Sequence, residues 1–153
     1  MSTDTSERHG HYLEDLSVGM TAVYSRTITE ADIAMFAGAS GDTNPIHFDE
    51  EFAQSSPFKG RIAHGMLTAS FLSTVFGTKL PGPGCIYLSQ TLKFTAPVRA
   101  GETVVARVEI DDIDTEKKRV HFVCTCTVGE TVVVKGDATI MVPRKADQRS
   151  VAA

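Results

Sequence analysis

The chain has 153 residues, of which 42% are hydrophobic and 22% charged, and this balance is typical of one domain with a sizeable core. The formal net charge is −4 and no basic block occurs, so binding to nucleic acid through its phosphates is not expected. No apolar run approaches the roughly 20 residues that cross a bilayer. Residues 1–16 are polar and have no apolar signal core, so we expect a cytoplasmic protein that does not bind membranes.

The domain is expected to span residues 13–143, between flexible tails at 1–12 and 144–153 that have no periodic apolar pattern. Within it, Thr21–Thr27 has a strand pattern. Thr29 is a candidate N-cap for a helix that ends near residues 38–41. Pro45 is expected to keep the next loop from being helical, and a short helix is expected at about 50–55.

The second half of the domain changes its hydrophobic period. Residues 64–80 form a helix that is apolar on nearly every side and is therefore expected to be buried. The sequence PGPG at 81–84 ends this helix, and the period then changes from about 3.6 to 2. Strands are expected from residue 85 to about 98 and at about 102–113, 119–128 and 131–142. Because the turns between these strands are short, the strands are antiparallel, which predicts an α+β fold with a sheet curled around the long helix.

The three cysteines and the acidic loop do not indicate a metal site. Cys124 and Cys126 alternate along a strand, Cys85 stands alone, and no CxxC pair occurs, so all three are expected to be reduced. The loop at 42–49 has acidic and amide side chains, but its spacing differs from that of a calcium-binding loop. No metal is therefore expected.

The sequence GDTNPIH at residues 41–47 is the first candidate for chemistry. It places a carboxylate (Asp42), an amide (Asn44) and an imidazole (His47) within six residues. A turn has no special need for the histidine, whereas Asp42 by itself could simply stabilise the turn. Spacing alone leaves open both a catalytic pair and a hydrogen-bonded turn.

The sequence HGM at residues 64–66 is the second candidate, because it opens the buried helix. The first N–H groups of a helix lack an acceptor within it, and Gly65 lets a substrate carbonyl approach the backbone closely. Such a helix end can stabilise an oxyanion. The alternative is that Gly65 only relieves a packing clash.

Together, GDTNPIH, HGMLTASFLS and the later IYLSQTLKFTAPVRAGETV resemble the MaoC-like hydratases, in particular the (R)-specific enoyl-CoA hydratases, over most of residues 20–142. The resemblance implies a hot-dog fold, in which an antiparallel sheet wraps a central helix. It also implies a homodimer with acyl-thioester sites near the subunit interface, and reversible addition of water to trans-2-enoyl-CoA thioesters. Coenzyme A is then part of the substrate and no cofactor is expected.

The resemblance also implies roles for individual residues. Asp42 and His47 match the catalytic pair, with Asp42 favoured as base and His47 as proton donor, and the Gly65 N–H matches the oxyanion donor. Asn44 is expected to orient the loop, and Ser73 to support the catalytic pair. Three bulky residues of the helix are expected to limit the acyl pocket to short or medium chains: Leu72, Val75 and Phe76.

Three further points remain open in the sequence. Four cations could meet coenzyme A phosphates: Lys59, Arg61, Lys93 and Arg99. An acidic acyl carrier protein would prefer a clustered basic face, which the sequence lacks, so acyl-CoA is favoured. A thioesterase and a non-catalytic acyl-binding module are the alternatives to a hydratase, and the product could serve polyester storage or fatty-acid breakdown.

Overall fold

Six antiparallel strands form one sheet in the computed structural model, which describes residues 6–149. The strands are β1 (Thr21–Thr27), β2 (Ile86–Gln90), β3 (Lys93–Phe94), β4 (Thr103–Asp114), β5 (Arg119–Val128) and β6 (Thr131–Met141). Their order across the sheet is β1-β4-β5-β6-β2, and β3 pairs with β6 as well. The short turns between β4, β5 and β6 explain why these neighbours in sequence are also neighbours in the sheet.

Within the described residues, two short 3-10 helices (Ser6–Arg8 and Leu13–Asp15) and five α-helices accompany the sheet: α1 (Glu30–Ser40), α2 (Pro45–Phe48), α3 (Glu50–Ser55), α4 (Gly65–Thr78) and α5 (Lys145–Arg149). The longest, α4, packs against β1, β4, β5 and β6. Strands β4 and β5 alternate buried and exposed residues, so every second side chain faces α4. The expected α+β arrangement, a sheet curled around one long helix, is confirmed.

Helix α1 is fixed at both ends by local chemistry, and this places the loop that follows it. Thr29 accepts a hydrogen bond from the N–H of Asp32, whose carboxylate accepts one from the N–H of Thr29; such a cap contributes about 1 kcal/mol. The helix ends at Gly41, which has φ of 79°, a conformation that favours glycine. The chain therefore changes direction between α1 and residue 42.

Two local expectations are wrong. Pro45 does not prevent helix formation but opens the short helix α2, because a proline at the first helical position loses no hydrogen bond that the helix would otherwise make. The strand expected from residue 85 to about 98 is interrupted at 91–92, giving the separate strands β2 and β3. At this interruption the N–H of Thr91 donates to the carbonyl of Asp137 at 2.8 Å.

Parts of both expected tails are ordered against the domain. Gly10 and His11 donate backbone hydrogen bonds to the carbonyls of Pro83 and Pro81, and α5 lies within the expected C-terminal tail. Residues 1–5 and 150–153 of these tails lie outside the described residues. None of the helices within residues 6–149 is both long and apolar enough to cross a membrane.

Candidate active site

The loop at residues 41–49 holds its own polar side chains in place. Asp42 Oδ1 accepts a hydrogen bond from the N–H of Asn44 at 3.1 Å, and Asn44 Oδ1 accepts one from the N–H of Ile46 at 3.2 Å. Asn44 is thus the N-cap of α2. At this position its side chain can orient the loop, as expected. Asp42 stabilises the turn and still presents a carboxylate, half of whose surface is exposed.

His47 projects from α2 into the protein, where its ring has a defined tautomer. Its Nδ1 lies 2.7 Å from the carbonyl oxygen of Ile62. Because a carbonyl only accepts hydrogen bonds, Nδ1 carries the proton and Nε2 of the neutral ring has a free lone pair. Nε2 lies 4.0 Å from Asp42 Oδ2, a separation that one water can bridge with hydrogen bonds of about 2.8 Å to each atom.

The pKa of His47 is lowered from its ordinary value, chiefly because burial removes the charged imidazolium from water. The hydrogen bond to Ile62 raises this pKa, nearby His64 lowers it and Asp42 raises it, each less than burial lowers it. At neutral pH His47 is therefore an uncharged imidazole with an unprotonated Nε2. This state fits a proton acceptor better than the proton donor expected from the resemblance.

His64 is a site residue to which the sequence interpretation gave no role. It is the N-cap of α4, is only 2% exposed, and packs against His47 with ring centroids 3.7 Å apart and the ring planes tilted by 31°. Its Nε2 lies 2.9 Å from the backbone carbonyl oxygen of Asp42, so this nitrogen carries the proton. Its Nδ1 is buried and has no hydrogen-bond partner among the described residues. The sequence HGM contained this histidine, but its contact with His47 depends on the tertiary fold.

Gly65 lies at the first position of α4, where a backbone N–H has no acceptor in its own helix. A Cβ at this position would lie 2.8 Å from the ring of Phe94. A larger residue would thus collide with β3, which agrees with the interpretation that Gly65 relieves a packing clash. The helix end also carries positive potential, so both interpretations of Gly65 fit the structure.

An apolar cavity of about 530 Å³ joins these groups, and Asp42, His47, His64 and Gly65 all line it. Its apolar lining includes Phe36, Phe58, Ile62, Phe94, Val133 and Val134. The volume lies in the range usual for small-molecule sites, about 300–1,000 Å³. A carboxylate, a neutral imidazole and a helix N-terminus at one cavity can bind a water molecule beside a polarised carbonyl.

Comparison with known proteins identifies the family. A profile of the MaoC like domain matches residues 17–134. The chain belongs to the MaoC-like family. An (R)-specific enoyl-CoA hydratase of Rhodospirillum rubrum is 56% identical to it over 88% of this chain and 94% of that protein. A 3-hydroxybutyryl-CoA dehydratase of Methylorubrum extorquens is 49% identical over 88% of this chain and 85% of that protein.

The solved structures confirm the hot-dog fold of this MaoC-like chain. The unliganded (R)-hydratase of Pseudomonas aeruginosa superimposes with a TM-score of 0.83 at 40% identity, covering 90% of this chain and 88% of that one. The long helix within a curved antiparallel sheet is thus shared with a hydratase. The expected family, fold and enzyme class, a hydro-lyase, are confirmed.

Four expected site residues of the MaoC-like chain do not reach the cavity. Leu72, Val75 and Phe76 are at most 1% exposed and do not line it. They face the sheet, where the ring of Phe76 packs against that of Phe122 at 4.9 Å, so the structure corrects their assignment to the acyl pocket. Ser73 is exposed and lies eight residues beyond Gly65, about 12 Å along the helix, so within one chain it does not contact Asp42 or His47.

A second cavity adjoins the first, and the two share His47, Phe58 and Ile62. Lys59, Arg61 and Arg99 line the second cavity. Arg61 is already paired with Glu30 at 2.6 Å and Glu50 at 3.4 Å, and Arg99 donates to the carbonyls of Phe58 and Arg61. Lys93, the fourth expected cation, lines neither cavity.

Proposed function

We propose that this chain is an (R)-specific enoyl-CoA hydratase, which adds water reversibly to trans-2-enoyl-CoA thioesters and, in reverse, dehydrates 3-hydroxyacyl-CoA. One observation carries the proposal. The unprotonated Nε2 of His47 lies 4.0 Å from Asp42 Oδ2, in an apolar cavity that also contains the first turn of α4. The family relatives named above are hydratases and dehydratases, which supports the same reaction.

In the proposed mechanism, one water is held between Asp42 and His47. His47 Nε2 accepts a proton from the water as its oxygen bonds to the β-carbon, while the negative charge moves to the thioester oxygen near the Gly65 N–H. The proton on Nε2 then passes to the α-carbon, and both protein groups return to their starting states. Acid–base catalysis of this kind contributes about 10²–10⁴-fold, and an oxyanion donor about 10²–10³-fold.

This mechanism reverses the roles that the resemblance favoured for the catalytic pair. A proton donor must start protonated, whereas burial lowers the pKa of His47. Asp42 instead accepts a hydrogen bond from the second hydrogen of the water, which stays on the oxygen, and so orients the water. No step needs a metal or a redox group. The proposed reaction therefore uses no cofactor, since coenzyme A is part of the substrate.

The proposed substrates are acyl-CoA thioesters of short to medium chain. The apolar cavity of about 530 Å³ can take the acyl chain, and its depth is set by the sheet residues Val133 and Val134 in place of Leu72, Val75 and Phe76. The adjoining second cavity can receive the phosphates of coenzyme A. Arg61 is paired there with Glu30 and Glu50, and Lys59 and Arg99 supply further positive charge. A compact cationic pocket fits a nucleotide better than the face of an acidic carrier protein.

We also propose that the chain acts as a homodimer in the cytoplasm. Strand β2 forms one end of the sheet, and its apolar residues Ile86, Tyr87 and Leu88 are between 38% and 51% exposed. Pairing of two β2 edges would cover these side chains and complete both edges. The cytoplasmic location is supported by Cys85, Cys124 and Cys126, all free thiols.

One experiment separates the proposed hydratase from its alternatives. Purified protein is mixed with crotonyl-CoA, and the absorbance of the conjugated enoyl group is followed together with free thiol. Loss of absorbance without free thiol, and formation of the (R)-3-hydroxy product, is the expected result. Release of thiol would instead indicate a thioesterase, and neither change would indicate an acyl-binding module; both results contradict the proposal.

A further inference from the structure

His64 contacts all three groups of the proposed mechanism, although the mechanism assigns it no step. Its Nε2 donates to the backbone carbonyl of Asp42 at 2.9 Å, and its ring packs against that of His47 with centroids 3.7 Å apart. A peptide bond joins His64 to Gly65, whose N–H is the proposed oxyanion donor. A residue in this place can set the distances between the three groups.

The side chain of His64 does not act as a helix cap, although His64 is the N-cap of α4. An N-cap side chain normally accepts a hydrogen bond from the first turn of its helix. The His64 side chain makes no such bond within the described residues, and its ring is hydrogen-bonded to the loop at 41–49 instead. The first N–H groups of α4 are therefore left for a thioester oxygen.

The burial of His64 has an energetic cost that packing alone does not explain. Its side chain is only 2% exposed, and its Nδ1 has no hydrogen-bond partner among residues 6–149. An unpaired buried polar atom destabilises a fold, whereas an apolar side chain of similar size does not. The bond that Nε2 makes to Asp42 therefore explains a histidine at this position better than filling of the core does.

Asp42 is held through both of its peptide groups. On the side of α1, its N–H donates to Ser40 Oγ at 3.2 Å. On the side of α4, its carbonyl accepts the bond from His64. The carboxylate is half exposed and accepts a bond from the N–H of Asn44 in its own loop. The bond from His64 thus ties the backbone of Asp42 to the helix whose first turn faces the same cavity.

We propose that His64 is a positioning residue of the catalytic pair, which holds the backbone of Asp42 at the start of α4 and supports the ring of His47. The inference rests on the proposed function, because it concerns the geometry in which Asp42 and His47 hold one water. The separation of 4.0 Å between Asp42 Oδ2 and His47 Nε2 fits that water. Displacement of a reacting group by about 1 Å can lower a rate about 100-fold, so loosening of Asp42 should lower kcat.

Two variants with side chains of similar length isolate the hydrogen bond of His64. In His64→Gln, the amide nitrogen replaces Nε2 and can still donate to the carbonyl of Asp42, whereas His64→Met has no donor. With crotonyl-CoA, kcat of His64→Met should be at least about tenfold below that of His64→Gln. The KM of the two variants should differ by less than about threefold, because the bond acts on the reacting geometry and not on binding of the substrate.

A change in the core away from the cavity is the control for lost stability. Phe122 on β5 is buried and packs against Phe76, and neither residue lines the cavity. Phe122→Leu should lower the temperature of unfolding and leave kcat unchanged. If His64 only stabilised the fold, kcat would not separate its two folded variants. Equal kcat of folded His64→Gln and His64→Met would overturn the proposal, as would a difference in KM alone.

The tautomer of His64 in the wild type provides a second test, which depends neither on activity nor on the folding of a variant. The nitrogen-15 NMR shifts of the ring should show the proton on Nε2, since a carbonyl can only accept a hydrogen bond. A proton on Nδ1 alone would overturn the proposal. If the wild type does not hydrate crotonyl-CoA, the proposed function fails, but the tautomer still decides whether His64 donates to Asp42.

Discussion

At the scale of single residues, the site depends on two histidines in ring contact, His47 and His64, each of which uses one ring nitrogen to hydrogen-bond a backbone carbonyl. His47 keeps Nε2 unprotonated toward Asp42, and His64 has a buried Nδ1 without a hydrogen-bond partner among the described residues. Burial, the largest influence on His47, lowers its pKa because the imidazolium loses hydration. The protonation state needed for a base is thus present at neutral pH.

The dependence of the rate on pH tests this assignment. The kcat/KM for crotonyl-CoA hydration should be constant around neutral pH. It should fall toward acid about tenfold per pH unit once His47 is protonated, with an apparent pKa below the ordinary value of 6.5. His121→Gln changes a histidine that contacts Asp111 on the exposed face of the sheet, away from the cavity, and should leave this profile unchanged.

The opposite profile would contradict a basic His47. A proton donor is active only when protonated, so its rate would rise as the pH falls from 8 toward 6. Such a rise would restore the assignment of Asp42 as base and His47 as acid.

The resemblance of the motif at residues 41–47 to that of the MaoC-like hydratases predicted Asp42 and His47 as a pair, whereas the spacing alone also allowed a hydrogen-bonded turn. The sequence could not predict the direction of proton transfer, since the burial that lowers the pKa of His47 comes from distant parts of the chain. His64 lies 17 residues beyond His47, and its contact with that ring likewise requires the folded structure.

At the scale of elements, the sequence predicted the bounds of those strands and helices that are determined by neighbouring residues. The bounds of β1 and β5 follow from alternation, and the start of α1 follows from the capping of Thr29 and Asp32. The break between β2 and β3 could not be predicted in this way, because it is caused by a contact between strands. Thr91 crosses β6 at Gly136, where a Cβ would lie 1.8 Å from the Thr91 carbonyl oxygen.

Gly136→Ala should therefore destabilise the protein. The added methyl group must displace the backbone at Thr91 and strain its hydrogen bonds with Asp137, and overpacking of this kind costs about 1–3 kcal/mol. Urea denaturation would measure the loss in the free energy of unfolding. Gly38→Ala on the exposed side of α1, where a Cβ meets nothing within 4 Å, is the control and should stabilise by up to about 1 kcal/mol. Equal stability of Gly136→Ala and the wild type would contradict the close contact.

At the scale of the whole molecule, the hydrophobic periods were enough to predict a sheet wrapped around a buried helix. They could not show which face of α4 remains uncovered. Met66 is 54% exposed and Ser73 is exposed as well, on the side of α4 away from the sheet. In the proposed dimer, a second copy of the chain covers the β2 edge and can also cover this face.

The proposed dimer predicts a solution mass of twice that of one chain, measured by light scattering after size exclusion. Leu88→Asp places a charge on the β2 edge and should shift the protein toward the monomer. Val123→Asp changes a similarly exposed residue, 44% against 40%, on β5 within the sheet, and should leave the mass unchanged. A wild-type monomer, or a dimer unaffected by Leu88→Asp, would contradict pairing through β2.

The most direct measurement is the rate of crotonyl-CoA hydration by Asp42→Asn and His47→Asn beside the wild type and His121→Gln. Asparagine at position 47 keeps a donor for the Ile62 carbonyl but has no basic nitrogen. Both site variants should remain folded and lose at least about 100-fold in kcat/KM, while His121→Gln should keep the wild-type value. Near-normal hydration by either folded site variant would contradict activation of water between Asp42 and His47.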